Sequence, residues 1–349
     1  MRTHSGICFN DGDNKTPDWF PQGITTVADA QADKLWGANN RPILVSWYDH
    51  NNGGGGATKG VRISFISPEN GNYRHVLLVY PTEHDGLLDY DSVRVSQDPS
   101  TADYGKALHA GGILWYGNYL FVADTGRGFR MFDMRRIFDL GKSVRGTTDG
   151  KNQIGYYMGM YYGFGYKYIM PQIGSWTRTA ATGSACSNSD RSLSFSYVSL
   201  DRSGTDHLVA GEYCKGTAAT NGRVVSWKIA GAFNADGNLN MDTGYRWHAD
   251  NAYKLPVSNV QGATRFNGKW YLSRSNGTSE AGILYITEKV TDSTKTLVVV
   301  SANKQWLPIG PEDLSHWPKG TAANPSLGNL WTVSEHKGNR MVYSVIPKN

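Results

Sequence analysis

The chain has 349 residues, of which 19% are charged, 41 are glycine, 20 tyrosine and 11 tryptophan, and its formal net charge is +5. That length suits one large domain or two ordinary ones, and few charges with many glycines and aromatics favour turns and pleated strands over helices. No run of basic residues marks a nucleic-acid footprint and no stretch reaches the ~18–20 continuous apolar residues of a membrane span, so neither nucleic acid nor a bilayer is expected as a partner.

In chain order, Met1-Arg2-Thr3 leads at once into polar sequence, which reads as an exported chain without its leader. One phrase then recurs five times. It starts with a short polar-then-apolar segment: Pro21-Gln22-Gly23-Ile24, Leu108-His109-Ala110-Gly111, Met170-Pro171-Gln172-Ile173-Gly174, Val260-Gln261-Gly262-Ala263 and Gly310-Pro311-Glu312-Asp313. Glycine close behind the polar residue in four copies suits strands packed so tightly that a side chain would collide. A second strand follows that runs apolar and ends polar: Ile43–His50, Tyr119–Asp124, His207–Tyr213, Trp270–Arg274 and Leu330–His336. A glycine-led third strand completes each hairpin: Gly60–Ile66, Gly128–Asp133, Gly222–Lys228, Gly282–Thr287 and Gly338–Val345. Outer strands are visible at His75–Tyr80 and Thr296–Ser301.

A unit of three to four antiparallel strands is too thin to bury both faces alone, and radial packing around an axis solves burial and edge exposure together. The expected fold is an all-β propeller forming one domain over residues 1–349. Five blades are placed near 20–100, 105–146, 165–232, 256–303 and 305–347, and the irregular spacing leaves six or seven compatible. Between the repeats, 135–141 reads as a short helix, 155–166 as a Gly/Tyr run suited to an aromatic floor or a packed loop, and 51–56 as an exposed hairpin tip lacking the context of a phosphate loop.

On this reading Gln22, His109, Gln172, Gln261 and Glu312 form a polar ring at the axial mouth, where propellers take ligands. Glycoside hydrolysis needs two carboxylates flanking the bond. Glu312 and Asp313 are neighbours in a strand and point to opposite faces, so partners would have to come from Asp124, Glu212 or Glu335. β-Elimination at a uronate needs a base and groups that hold a carboxylate. His109, Tyr161 and Tyr162 supply proton transfer, and Arg127, Arg265 and the ring residues Gln22, Gln172, Gln261 and Glu312 line the substrate. Nine histidines form no metal motif, with Ser334-Glu335-His336 reading as strand-end residues, and no nucleophile elbow supports serine catalysis. No cofactor is implied, and a structural calcium ion near the axis is compatible. Of three cysteines, Cys186 and Cys214 are expected to pair across a long excursion, with Cys8 spare, as suits an exported protein.

At Asp18–Gly23, His109–Ile113 and Gly310–Ser315 the chain resembles exported microbial propeller proteins of largely unassigned activity. In architecture and in an axial histidine it is more distantly similar to propeller lyases that cleave uronate-containing polysaccharides. That resemblance implies His109 as the proton-transfer residue. The expectation is a secreted monomer that cleaves a polysaccharide or oligosaccharide by β-elimination. The alternatives are a glycoside hydrolase using axial carboxylates and a non-catalytic glycan-binding propeller.

Overall fold

The computed structural model describes residues 5–50, 58–179, 186–187, 192–215, 222–290, 296–300, 303–320 and 325–348, so the glycine-rich tip at 51–56 lies outside the described residues. The chain starts with β1 (Ser5–Cys8) and a short helix α1 (Asp11–Lys15). Blade one is β2 (Trp19–Thr26), β3 (Ile43–Asp49), β4 (Val61–Ile66) and β5 (Tyr73–His84), with β6 (Leu87–Ser92) folded back on its rim. Blade two is β7 (Ile113–Tyr116), β8 (Tyr119–Asp124) and β9 (Gly128–Asp133), and its fourth strand arrives only after an excursion through β10 (Phe138–Asp139), β11 (Ile154–Tyr157) and β12 (Met160–Gly163), as β13 (Tyr168–Thr177). Blade three is β14 (Tyr197–Asp201), β15 (His207–Gly211), β16 (Arg223–Lys228) and β17 (Asn251–Lys254). Blade four is β18 (Val260–Phe266), β19 (Lys269–Arg274), β20 (Ala281–Ile286) and β21 (Gln305–Ile309), and blade five is β22 (Ser315–Gly320), β23 (Pro325–Val333) and β24 (Met341–Val345).

The protein is a five-bladed β-propeller. Blade five takes its outer strand from the other end of the chain: β1 pairs antiparallel with β24, from Ser5↔Ser344 to Cys8↔Met341. Blades one and two are fused at their rims, because β13 pairs antiparallel with β9 and parallel with β5 in one continuous sheet. This corrects the expected boundaries: 165–177 closes blade two, and blade three starts at the strand beginning with Tyr197. Residues 135–141 hold a turn and β10 where a helix was expected, since Phe138 and Asp139 pair with Ile169 and Tyr168.

Apolar clusters fill each gap between neighbouring blades, with Trp115 between one and two, Phe121 between two and three, Trp270 between three and four, Leu314 between four and five, and Trp47 between five and one. Around the axis the inner strands meet backbone to backbone. A Cβ on Gly112 would lie 2.2 Å from the Val198 nitrogen, one on Gly23 2.7 Å from the Ile113 nitrogen, and one on Gly262 2.8 Å from the Asp313 backbone. This is the physical reason for glycine at those positions.

Cys186 and Cys214 form the expected disulfide, with Cα atoms 5.8 Å apart, and Cys8 is free and exposed. With the two cysteines 28 positions apart, the chain-entropy model assigns the cross-link about 3.5 kcal/mol. Denaturant unfolding with and without a reductant is expected to differ by that order, and coincident curves would show that the bond closes nothing of consequence. No helix among the described residues is long and apolar enough to cross a membrane.

Candidate functional site

Two inner strands carry their glutamine on a β-bulge. Pro21 opposes Trp47 and Ile24 opposes Val45, leaving Gln22 and Gly23 together against Ser46. The register shifts in the same way around Gln261, between Val260 and Gly262. A bulge re-aims a side chain that would otherwise follow the pleat, and bulges concentrate near functional sites. The Ser46 hydroxyl accepts from Gly23 N at 2.8 Å and donates to Ala110 O at 2.8 Å, tying the strand of Gln22 to the segment of His109. Ala110 itself sits at φ 52°, a left-handed conformation that is costly for a residue with a Cβ.

At this end of the axis Gln22 donates to Glu335 Oε1 at 2.8 Å, and Gln261 donates to Glu312 Oε1 at 3.1 Å. Glu312 and Glu335 are brought together by the entry to blade five, where Glu312 N bonds Val333 O and Glu335 N bonds Gly310 O, on either side of a Pro311↔Ser334 bridge. The Glu312 carboxyl faces that of Glu335. Burial first, then the neighbouring Glu335 and Asp313 carboxyl groups, push the Glu312 carboxyl well above the usual carboxylate range, which favours its protonated form.

Glu335 is singular among the strand-end carboxylates. Asp124 is held at 2.8 Å by Arg130 of its own blade, Glu212 at 2.8 Å by Arg223, and Asp49 accepts from Lys59 N at 2.7 Å. Blade five has Arg340 at the place of Arg130, but its guanidinium donates to the backbone carbonyls of Glu335, Asp13 and Thr16. Glu335 is thus left to face Gln22 and Glu312, with His336 Nδ1 3.6 Å away.

Tyrosines and histidines complete the mouth. The Tyr48 ring lies 4.7 Å from that of His109, and its hydroxyl is 2.9 Å from His50 Nδ1. Burial, reinforced by Glu335 and Glu312, raises the pKa of Tyr48, and burial with Glu312 and Glu335 raises that of Tyr213. Both therefore stay as hydroxyl donors at neutral pH. His109 is only partly covered by area, yet the surrounding protein and the neighbouring His50 hold it down at about 4. It is a neutral imidazole near pH 7.

Of the expected ring, Gln22 and Gln261 lie on the inner strands β2 and β18, while His109 and Glu312 lie on the irregular segments that lead into β7 and β22. Gln172 does neither: it sits in β13, the outermost strand of blade two, opposite Phe132. Ser196 immediately precedes the third inner strand β14, and its hydroxyl accepts from Tyr213 N at 3.1 Å, so Ser196 occupies the position assigned to Gln172. Tyr161 and Tyr162 belong to the β11–β12 hairpin at the rim, where the Tyr161 hydroxyl donates to Leu88 O and its ring stacks on Tyr90. Arg127 is exposed in the β8–β9 turn. Arg265 lies at the far end of its strand, 3.6 Å from Asp201. None of these five joins His109. Deeper on the axis Asp313 turns away from the mouth and accepts from Ile24 N and Ile113 N, both at 3.3 Å.

No protein-family model matches the chain, and no curated protein matches it. Among solved structures it is similar to the beta-propeller domain of Cps50 (Swd1) from Myceliophteria thermophila, at 9% identity, covering 98% of this chain and 100% of that one with a TM-score of 0.35. RS223-Beta-xylosidase is similar at 9% identity, 98% and 94% coverage and a TM-score of 0.34. The GH43_1 enzyme from Xanthomonas citri complexed with xylose is similar at 8% identity, 98% and 90% coverage and a TM-score of 0.33. At this level of likeness the blade count rests on the strand pairings described above, and the activities in those names remain those of the proteins that bear them.

Among the described residues no group of three or more His, Cys, Asp or Glu side chains could hold a metal ion. The glutamate pair has a measurable signature in stability. A carboxyl whose folded pKa is raised contributes stability that is fully present below its unfolded pKa and is lost as pH rises through the folded value. Glu312→Gln mimics the protonated form. Its melting temperature relative to the native protein is expected to climb as pH rises above about 4.3, the ordinary value of a glutamate in the unfolded chain, and a constant difference would mean that Glu312 is ionised in the fold.

Proposed function

We propose that the axial mouth hydrolyses a glycosidic bond, with Glu312 as proton donor and Glu335 as the carboxylate that activates water or stabilises the sugar cation. The observation that carries this reading is the neighbouring pair Glu312 and Glu335 at the axial mouth, each held by its own glutamine. Two carboxyl groups whose environments separate their protonation states are the usual means of acid and base work at one pH. Gln22 and Gln261 each hold one carboxyl, and the separation of the pair with sugar bound decides between the about 5–5.5 Å of retaining and the about 6.5–9.5 Å of inverting glycosidases. Tyr48, Tyr213 and His109 supply hydroxyl and imidazole contacts for the sugar.

β-Elimination at a uronate is less well supported. A uronate carboxylate would meet two glutamates, whereas Arg265 is engaged with Asp201 and Arg340 with backbone carbonyls. A purely lectin-like role would favour equivalent groups in each blade, but Gln22, His109, Ser196, Gln261 and Glu312 differ in chemistry. The protein is proposed to act outside the cell, in keeping with its disulfide.

Incubation with a panel of neutral and acidic polysaccharides tests the proposal, with reducing ends and ultraviolet absorbance followed together. New reducing ends without absorbance of an unsaturated product are expected. Absorbance rising in step with reducing ends would move the assignment to a lyase, and no product from any glycan would leave a non-catalytic mouth.

A further inference from the structure

A second surface lies on the side of blades two and three. A groove of about 300 Å³ is lined by Trp176 of β13, Trp227 of β16, and Tyr245 and Trp247 of the irregular segment that follows blade three's 3-10 turn. The two residues of that segment are fixed from beneath: the Trp247 indole donates to Lys228 O at 2.8 Å and the Tyr245 hydroxyl to Gly231 O at 3.0 Å. Their rings are thereby set at fixed angles to their neighbours. Trp176 and Trp247 are 5.5 Å apart at 60°, Trp176 and Tyr245 6.0 Å at 63°, and Trp227 and Trp247 6.1 Å at 51°. These are successive inclined faces, which suit consecutive pyranose rings better than one flat molecule.

The polar groups point the same way. Among the described residues the indole N–H groups of Trp176 and Trp227 make no hydrogen bond, and neither ring is buried. Arg178, Arg246 and His248 stand among the lining residues, which include no carboxylate; one Arg178 N–H donates to Leu193 O at 3.2 Å, leaving the rest of its guanidinium, with Arg246, for a ligand. Apolar ring faces, N–H donors and cationic groups with no lining carboxylate together call for a ligand with an apolar face, many acceptors and negative charge. We infer that this groove binds an acidic oligosaccharide, its sugar rings stacked on Trp176, Trp227 and Trp247 and its carboxylates met by Arg178 and Arg246. The inference does not depend on the hydrolase reading of the mouth. It places uronate recognition on the rim, where cations are present, and away from the glutamates.

Tryptophan fluorescence and calorimetric titration with oligogalacturonides, with xylo-oligosaccharides of equal length as the neutral control, test it. The acidic ligand is expected to bind, to weaken as salt is raised, and to lose about ten-fold in affinity in Trp247→Ala and in the surface double variant Arg246→Gln with His248→Gln. Glu335→Gln is expected to bind it unchanged. Failure of oligogalacturonides to bind, equal affinity for the neutral ligand, or unchanged affinity in the Arg246→Gln/His248→Gln protein would each overturn the inference. Activity that survives in Glu335→Gln would sink only the reading of the mouth.

Discussion

Glu335→Gln is expected to lower glycan cleavage by roughly a hundred- to ten-thousand-fold, the range supplied by a positioned proton-transfer group, with the melting temperature left near that of the native protein. The amide keeps the shape of the carboxylate and can still face Glu312 and meet Gln22, so the fold loses little. What it cannot do is carry the negative charge that activates water or balances a developing sugar cation. Steady-state rates on the best substrate of the panel, beside thermal melts of both proteins, check this. Asp124→Asn provides the contrast, since Asp124 is bound to Arg130 within its blade; this variant is expected to cost stability while sparing turnover. Comparable activity in Glu335→Gln and the native protein would remove Glu335 from the chemistry.

Gly112→Ala is expected to destabilise the protein by about 3 kcal/mol or more, at the upper end of overpacking effects. The added methyl would sit 2.2 Å from the Val198 nitrogen, with the Tyr197 backbone 2.6 Å away. Backbone cannot rotate aside as a side chain can, so two inner strands must separate and the apolar clusters on both sides must open with them. Gly117→Ala is a control in the same blade: its Cβ meets nothing within 4 Å, and only its φ of 56° opposes the change. Chemical denaturation of the two variants should separate them clearly. Equal midpoints would mean that the inner strands have slack.

Much of the propeller was legible because its repeats obey one physical rule. Where inner strands crowd the axis a glycine follows the polar residue at once or within three positions, as at Gly23, Gly112 and Gly262, and that signal located three inner strands directly. The third blade escaped because it solves the crowding differently. Tyr197 stands where blades one, two and four have glycine, and the space it needs comes from Gly211, whose Cβ would lie 2.1 Å from the Tyr197 hydroxyl. The Gln172 segment looked like a substitute because β13 carries the same kind of bulge, between Gln172 and Gly174, at the rim. Glu335 could not be separated from Asp124 and Glu212 by sequence, since all three end a second strand. Only the guanidinium of Arg340, turned toward backbone carbonyls, distinguishes it. The role assigned to His109 assumed an ordinary imidazole, and packing that no local pattern reveals holds it at about 4.

The pairing of β1 with β24 also bears on how the protein is made. The first strand must wait, unpaired, until nearly the last residues of the chain have been synthesised, a delay of roughly 20–70 s at ordinary rates of synthesis. Through that interval the carbonyls of Asp13 and Thr16 lack the arginine that Arg340 later provides, and Glu335 itself has yet to emerge. The mouth therefore takes shape only after the first four blades have been made. A nascent or truncated chain that stops short of Glu335 would carry four blades, an incomplete fifth with an open, sticky edge and no acid pair.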